Sequence, residues 1–201
     1  MDEVAPGLRR WTSWHEEWGE EVGCVAVDTD DGLVLIDPLD PPAEVANPAH
    51  VLLTVFFHLR STAAVGAPRV WAGKYSTRSA ANRGVTITGQ LDDGGLPGGI
   101  VPFQTTRRSE VVYWLPEHRS VVVGDVLLGA GAKPKATDDP LRLCPERWLS
   151  GPTLGDLRAS LMPLLDLPVE HVLVSHGAPV LGGGRAALER VLVAARDPAT
   201  G

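Results

Sequence analysis

Residues 111–128 read VVYWLPEHRSVVVGDVLL, and their reading decides the fold. Two apolar runs, Glu110–Leu115 and Ser120–Val123, flank the turn Pro116-Glu117-His118-Arg119, and Gly124-Asp125 closes the second run. β-Branched and aromatic residues on either side of a turn cluster read as a β-hairpin. On the C-terminal side, Thr153-Leu154-Gly155-Asp156 has the form of a helix capping box. Leu154, Leu157, Leu161, Leu164 and Leu165 follow at helical spacing, which predicts one face packed on a sheet, and Pro168 ends the helix. His171–Ser175 reads as a last strand leading to His176-Gly177, and Gly182–Gly184 opens a C-terminal helix carrying Leu188, Val191 and Leu192.

On the N-terminal side, Val22–Val27 and Leu33–Ile36 read as strands joined by Asp30-Asp31-Gly32. Val51–Phe57 reads as a central strand, Ser61–Gly66 as a short helix, and Arg69–Ala72 and Val85–Thr88 as further strands. The glycine-rich segment 92–99 reads as loop. RWTSWHEEW, residues 10–18, reads as an amphipathic turn whose tryptophans Trp11, Trp14 and Trp18 cover a sheet edge or offer a ligand platform. The expectation is an α/β (α+β) chain forming one domain over 1–201, structured from about residue 11 to 195, with 196–201 as a frayed tail.

Composition narrows the function classes. The chain has 201 residues, 44% hydrophobic and 21% charged, enough for one substantial core. Its net charge of -7 gives no pull toward nucleic acid or anionic membrane. The acidic N-terminus MDEVAPGLRR lacks the apolar stretch of a secretory signal, and no apolar run approaches the ~20 residues of a membrane span. Cys24 and Cys144 lie far apart and read as two buried thiols of a cytoplasmic protein.

The order LVLIDP (33–38), VLLT (51–54), the hairpin ending GDVL, and VLVSHGAPV (172–180) resembles the metallo-β-lactamase superfamily over nearly the whole chain. That resemblance implies a four-layer αββα sandwich of two mixed sheets with helices outside. It also implies one or two metal ions, usually zinc, at one sheet edge, polarising a substrate and activating water. Carried over position by position, the structural aspartate falls on Asp37, the bridging aspartate on Asp125 and the final histidine on His176. The H-x-H-x-D-H places after Thr54 fall on Val55, Phe57, Leu59 and Arg60, and the next ligand histidine on Thr106. A dinuclear zinc site cannot be built from this set, because zinc needs three or four nitrogen, sulfur or carboxylate ligands.

The resemblance thus implies a degraded metal site with no metal expected, and a non-catalytic binding or scaffold protein. The alternative is a hydrolase of a small ester, thioester or lactone. His58 lies one place from a ligand position; turned inward, it would complete a set with Asp125 and His176 able to hold one zinc or iron ion. Otherwise His58 is a loop or core histidine with a hydrogen-bonded ring. Arg60 is expected either to replace the lost cation by pairing with Asp125, or to face solvent. Arg107 and Arg108 read as an anion-binding pair or as solvated loop residues, and Trp14 as a cleft-bordering ring or a sheet-edge cover. His118, in a turn, reads as exposed and inert. Ser175 sits in no nucleophile elbow. A small-molecule ligand and a homodimer whose partner fills the cleft complete the expectations; nucleic acid and membrane are not among them.

Overall fold

The computed structural model describes residues 1–91 and 94–193. The first sheet takes its strands in chain order: β1 (Asp2–Ala5), β2 (Leu8–His15), β3 (Glu20–Thr29), β4 (Gly32–Ile36), β5 (His50–Leu52), β6 (Arg69–Ala72) and β7 (Gly89–Gln90). Strands β1 to β4 pair antiparallel, and β4 to β7 pair parallel. Two short helices, α1 (Thr62–Val65) and α2 (Thr77–Ala81), sit among the parallel connections.

The second sheet begins with β8 (Val101–Gln104), β9 (Val111–Leu115) and β10 (Ser120–Val123). A small antiparallel pair follows, β11 (Leu127–Gly129) with β12 (Leu141–Leu143). Helix α3 (Leu154–Leu161), strands β13 (His171–Val174) and β14 (Val180–Leu181), and helix α4 (Gly184–Val193) complete the described chain. The sheet order is β14-β13-β10-β9-β8, with β10 and β13 parallel.

The two-residue period of a strand sorts its side chains between layers. On β9, Val111, Tyr113 and Leu115 point into a core shared with Val25, Val27, Ile36 and Leu52 of the first sheet. Val112 and Trp114 point the other way, against Leu157 and Leu161 of α3 and Leu188 and Leu192 of α4. Cys24, Ala26, Leu35 and Val51 pack outward beneath Leu59 and Ala80. The central strands β4, β5, β9, β10 and β13 are buried on both faces over most of their length, so they read as continuous apolar runs rather than as alternation. The result is the expected four-layer sandwich.

Helix α3 starts at the capping box, with Thr153 Oγ1 accepting from the Asp156 amide and Asp156 Oδ2 accepting from the Thr153 amide. Other expectations need correcting. The segment 10–18 is not a helical turn: it is the end of β2 and the loop into β3, with Trp11 buried and Trp14 52% exposed. Residues 2–10 are ordered in β1 and β2, ahead of the expected start. The central strand stops at Leu52, because Thr54 turns to meet Asp37 and Phe56–Leu59 winds into a 3-10 turn. The strand expected at 85–88 lies at Gly89–Gln90, where the absence of a side chain lets the Trp71 ring lie against the backbone. His118 is half-buried, and burial lowers its pKa from the ordinary imidazole value. The expected tail at 196–201 lies outside the described residues.

Candidate functional site

Four polar side chains follow the carboxyl ends of parallel strands: Asp37 after β4, His58 after β5, Asp125 after β10 and His176 after β13. Strand ends of this kind leave loop residues free to converge while the sheets fix their origins. Here backbone bonds tie the two sheets together at that edge. Gly23 N donates to Ser175 O at 2.7 Å, and Val111 N donates to Thr54 O at 2.8 Å.

Asp37 organises the first sheet's contribution. Its Oδ1 accepts from the Thr54 amide at 2.9 Å and its Oδ2 from the Thr54 hydroxyl at 2.5 Å. The same Oδ2 lies 2.8 Å from His58 Nδ1. A carboxylate only accepts, so Nδ1 carries the proton and donates it. His58 is 0% exposed and its Nε2 points to Asp125, 3.0 Å from Oδ1. That approach is not aligned as a hydrogen bond, and Nε2 has no hydrogen-bond partner.

The second sheet's contribution mirrors this. His176 Nε2 lies 3.2 Å from the same Asp125 Oδ1, and His176 Nδ1 lies 3.1 Å from Glu20 Oε1. Burial lowers the His176 pKa, but its bonds with Asp125 and Glu20 outweigh this and raise it to about 9. Burial raises the Asp125 carboxyl, and the two imidazoles outweigh it, holding the group well below the usual carboxylate range. The remaining oxygen, Asp125 Oδ2, accepts from Arg107 at 2.8 Å, and the same guanidinium nitrogen donates to Glu110 Oε2 at 3.0 Å. Glu110 Oε1 in turn accepts from the amides of Asp125 at 2.6 Å and Val126 at 2.8 Å. Gly124 is required beside them: a Cβ there would lie 2.5 Å from Thr54 Oγ1. Gly177, after His176, has φ +84° and packs where a Cβ would meet two carbonyl oxygens at 2.6 Å.

The site keeps His58, Asp125 and His176 together, with one donor atom of each within 4.8 Å of the others. His58 is thus both a hydrogen-bonded core histidine and a member of the cluster. The expected Arg60–Asp125 pair does not form. At φ 37° the Arg60 backbone turns its side chain along the first sheet, where it donates to Asp37 O, Gly23 O and Ser175 Oγ. Arg107 is the partner of Asp125 instead, so it is not a free half of an anion-binding pair. Arg108 is exposed and lies over Tyr75, away from Asp125. Trp14 does not line the cleft; Trp18 does, with its ring 5.4 Å from that of His176. Val55 and Leu59 are buried apolar residues, Phe57 is 44% exposed and Thr106 is half-buried.

Glu20 and Glu110 escaped sequence reading. Glu110 carried one signal, a carboxylate set directly against the apolar run VVYWL. Glu20 sits in the acidic run HEEWGEE and has no signal of its own.

The cluster opens on a cleft of roughly 720 Å³ bordered by Trp18, Phe57, Trp148, Lys133 and Arg147. The donor set fits one metal ion. Both Nδ1 atoms face carboxylates, the arrangement that orients metal-binding imidazoles. The three remaining donors converge, and the buried His58 Nε2 is otherwise unpartnered. Tetrahedral zinc ligands lie roughly 3.3 Å apart, close to the two imidazole–carboxylate distances seen here.

No protein-family model matches the chain, and no curated protein does. Solved structures do. A metallo-β-lactamase from Pontibacter korlensis aligns with TM-score 0.63 at 17% identity, over 95% of this chain and 97% of that one. The metallo-β-lactamase FIM-1 from Pseudomonas aeruginosa, solved in a mono-zinc form, aligns with TM-score 0.60 at 17% identity, over 94% and 92%. A protein solved in a di-iron-bound form aligns with TM-score 0.54 at 23% identity, over 84% and 92%. Two mixed sheets between outer helices, joined at the edge that carries His58, Asp125 and His176, place this chain in the metallo-β-lactamase fold.

Proposed function

We propose that the chain is a diverged hydrolase of a small ester, thioester or lactone, with a one-ion site of His58, Asp125 and His176 in place of a dinuclear centre. The observation that carries this reading is the buried His58 Nε2, 3.0 Å from Asp125 Oδ1 without an aligned hydrogen bond, converging on that oxygen beside His176 Nε2. A divalent ion bound there would polarise a carbonyl oxygen and lower the pKa of water. The chain's own residues do the positioning. Asp37 and Glu20 fix the two imidazoles with Nε2 toward the site. Arg107 holds the second oxygen of Asp125, leaving Oδ1 to face the imidazoles. Three protein donors leave room at an ion for substrate and water, the arrangement of catalytic rather than structural sites.

A metal-free binding protein is the second reading, favoured by the same Arg107 bridge and by the His176 imidazolium. Together they neutralise Asp125 without an ion. The test is metal content after purification without chelator and incubation with equimolar zinc, iron and manganese. About one ion per chain, lost in His58→Ala and in His176→Ala, is the expected result. Wild-type protein that retains no ion would leave the binding reading in its place.

A further inference from the structure

Every acid facing the cleft is already engaged. Asp125 is held by Arg107 and His176, and Glu20 by His176. Two cations at the cleft wall make no direct ion pair. Among the described residues neither Lys133 nor Arg147 is in a salt bridge; the Lys133 ammonium donates to the Gly19 carbonyl at 2.6 Å and acts on Glu20 only through its field. In a chain of net charge -7, the rim of this cleft therefore carries two cations outside any ion pair.

The cations stand beside aromatic rings. Gly19, which receives Lys133, follows Trp18, and Arg147 precedes Trp148 in one 3-10 turn. The two indoles flank His176, with ring centroids 5.4 Å and 6.5 Å from the imidazole. Phe57, 44% exposed, adds a third apolar wall. An apolar ring surface with a charge at its rim recognises a flat body carrying an opposite charge. Arg107 lies over Phe57 at 5.8 Å but is committed to Glu110 and Asp125, so it fixes the wall rather than binding the guest.

We propose that this cleft selects small aromatic carboxylates. The ring would lie between Trp148 and Phe57, against the edge of a Trp18 indole held in place by its stacking on His15, and the carboxylate would meet Lys133 and Arg147. Resting on the hydrolase reading for the position of the reacting bond, this assigns the substrate class as an aromatic ester, thioester or lactone with a free carboxylate remote from the bond cleaved. A carboxylate paired with an unengaged cation gains a charge-assisted hydrogen bond that a neutral amide of the same shape lacks.

The test uses the full chain held in chelator, so that it does not depend on bound metal, with tryptophan fluorescence as readout. Phenylacetate and its neutral isostere phenylacetamide are titrated in parallel. Saturable binding of phenylacetate, roughly tenfold tighter than phenylacetamide, is expected, with the gap closing in the Lys133→Ala/Arg147→Ala double variant. Equal affinities, no saturable binding of phenylacetate, or a gap that survives in a folded double variant would overturn the proposal. Metal content measured on a parallel sample, prepared without chelator and incubated with zinc, iron and manganese, separates the two readings: charge-selective binding by protein that retains no ion when so loaded keeps the cleft assignment and removes the hydrolase, and one ion per chain without charge selectivity does the reverse.

Discussion

At the scale of single residues, Arg107 holds the site's carboxylates and His58 completes its donors. Arg107 is the shared cation of Asp125 and Glu110, so Arg107→Ala leaves two buried carboxylates facing each other. A loss of roughly 3–5 kcal/mol is expected, the cost of breaking a buried pair, and urea unfolding would measure it. Arg60→Ala removes donors to two carbonyls and one hydroxyl without exposing an acid, and should cost less in the same measurement. The thiols give a pH prediction. Burial raises Cys24 to about 11 and Cys144 to about 12, from 9.0 in each case. Folded thiols then keep their protons where unfolded ones lose them, so they add no pH dependence to stability below about 9 and lower it as pH rises from 9 toward 11. Folded protein at pH 8 should accordingly resist an aromatic disulfide reagent that both cysteines consume in denaturant; rapid reaction of folded protein would contradict this. Asp37, Asp125 and His176 were legible through the resemblance to the metallo-β-lactamase superfamily, whose motif places fall on them at the ends of recognisable strands. The role of Arg107 was not, since pairing across 18 residues depends on how the loop before β9 folds, and no spacing rule records that.

Among the elements, the glycines of the GD and HG pairs limit substitution beside the site. Gly124→Ala would drive a Cβ into Thr54 Oγ1, where Thr54 is already fixed by Asp37. Since the neighbour cannot yield, a loss of roughly 1–3 kcal/mol is expected, together with weaker metal retention, read by thermal unfolding and metal analysis of the same sample. Helix α3 offers a control away from the site. Thr153→Ala removes the cap and should cost about 1 kcal/mol with metal retention unchanged. The capping box of α3 could be read in advance because helix signals are local, but its end was not: α3 stops at Leu161, ahead of Pro163, and Leu164 and Leu165 lie in a 3-10 turn, Met162–Asp166, rather than on a helix running to Pro168. The strands were less legible. Burial on both faces erased the alternation that marks strand ends, so β5 was read too long. The tryptophans at 11, 14 and 18 imitated a helical period, although Trp11 and Trp14 belong to opposite faces of β2 and Trp18 to the loop beyond it.

For the molecule as a whole, the order of the layers follows the order of the chain. Every strand of the first sheet lies between Asp2 and Gln90, and every strand of the second between Val101 and Leu181. The connection between them crosses from one sheet to the other only once. The donor set is divided in the same way, with Asp37 and His58 on the first part and Asp125 and His176 on the second. This makes the protein a natural two-piece assembly. Cut within the glycine-rich connection, it would yield two fragments that each expose an apolar sheet face and each hold an incomplete chelate, so ion capture would become a signal that the pieces have met.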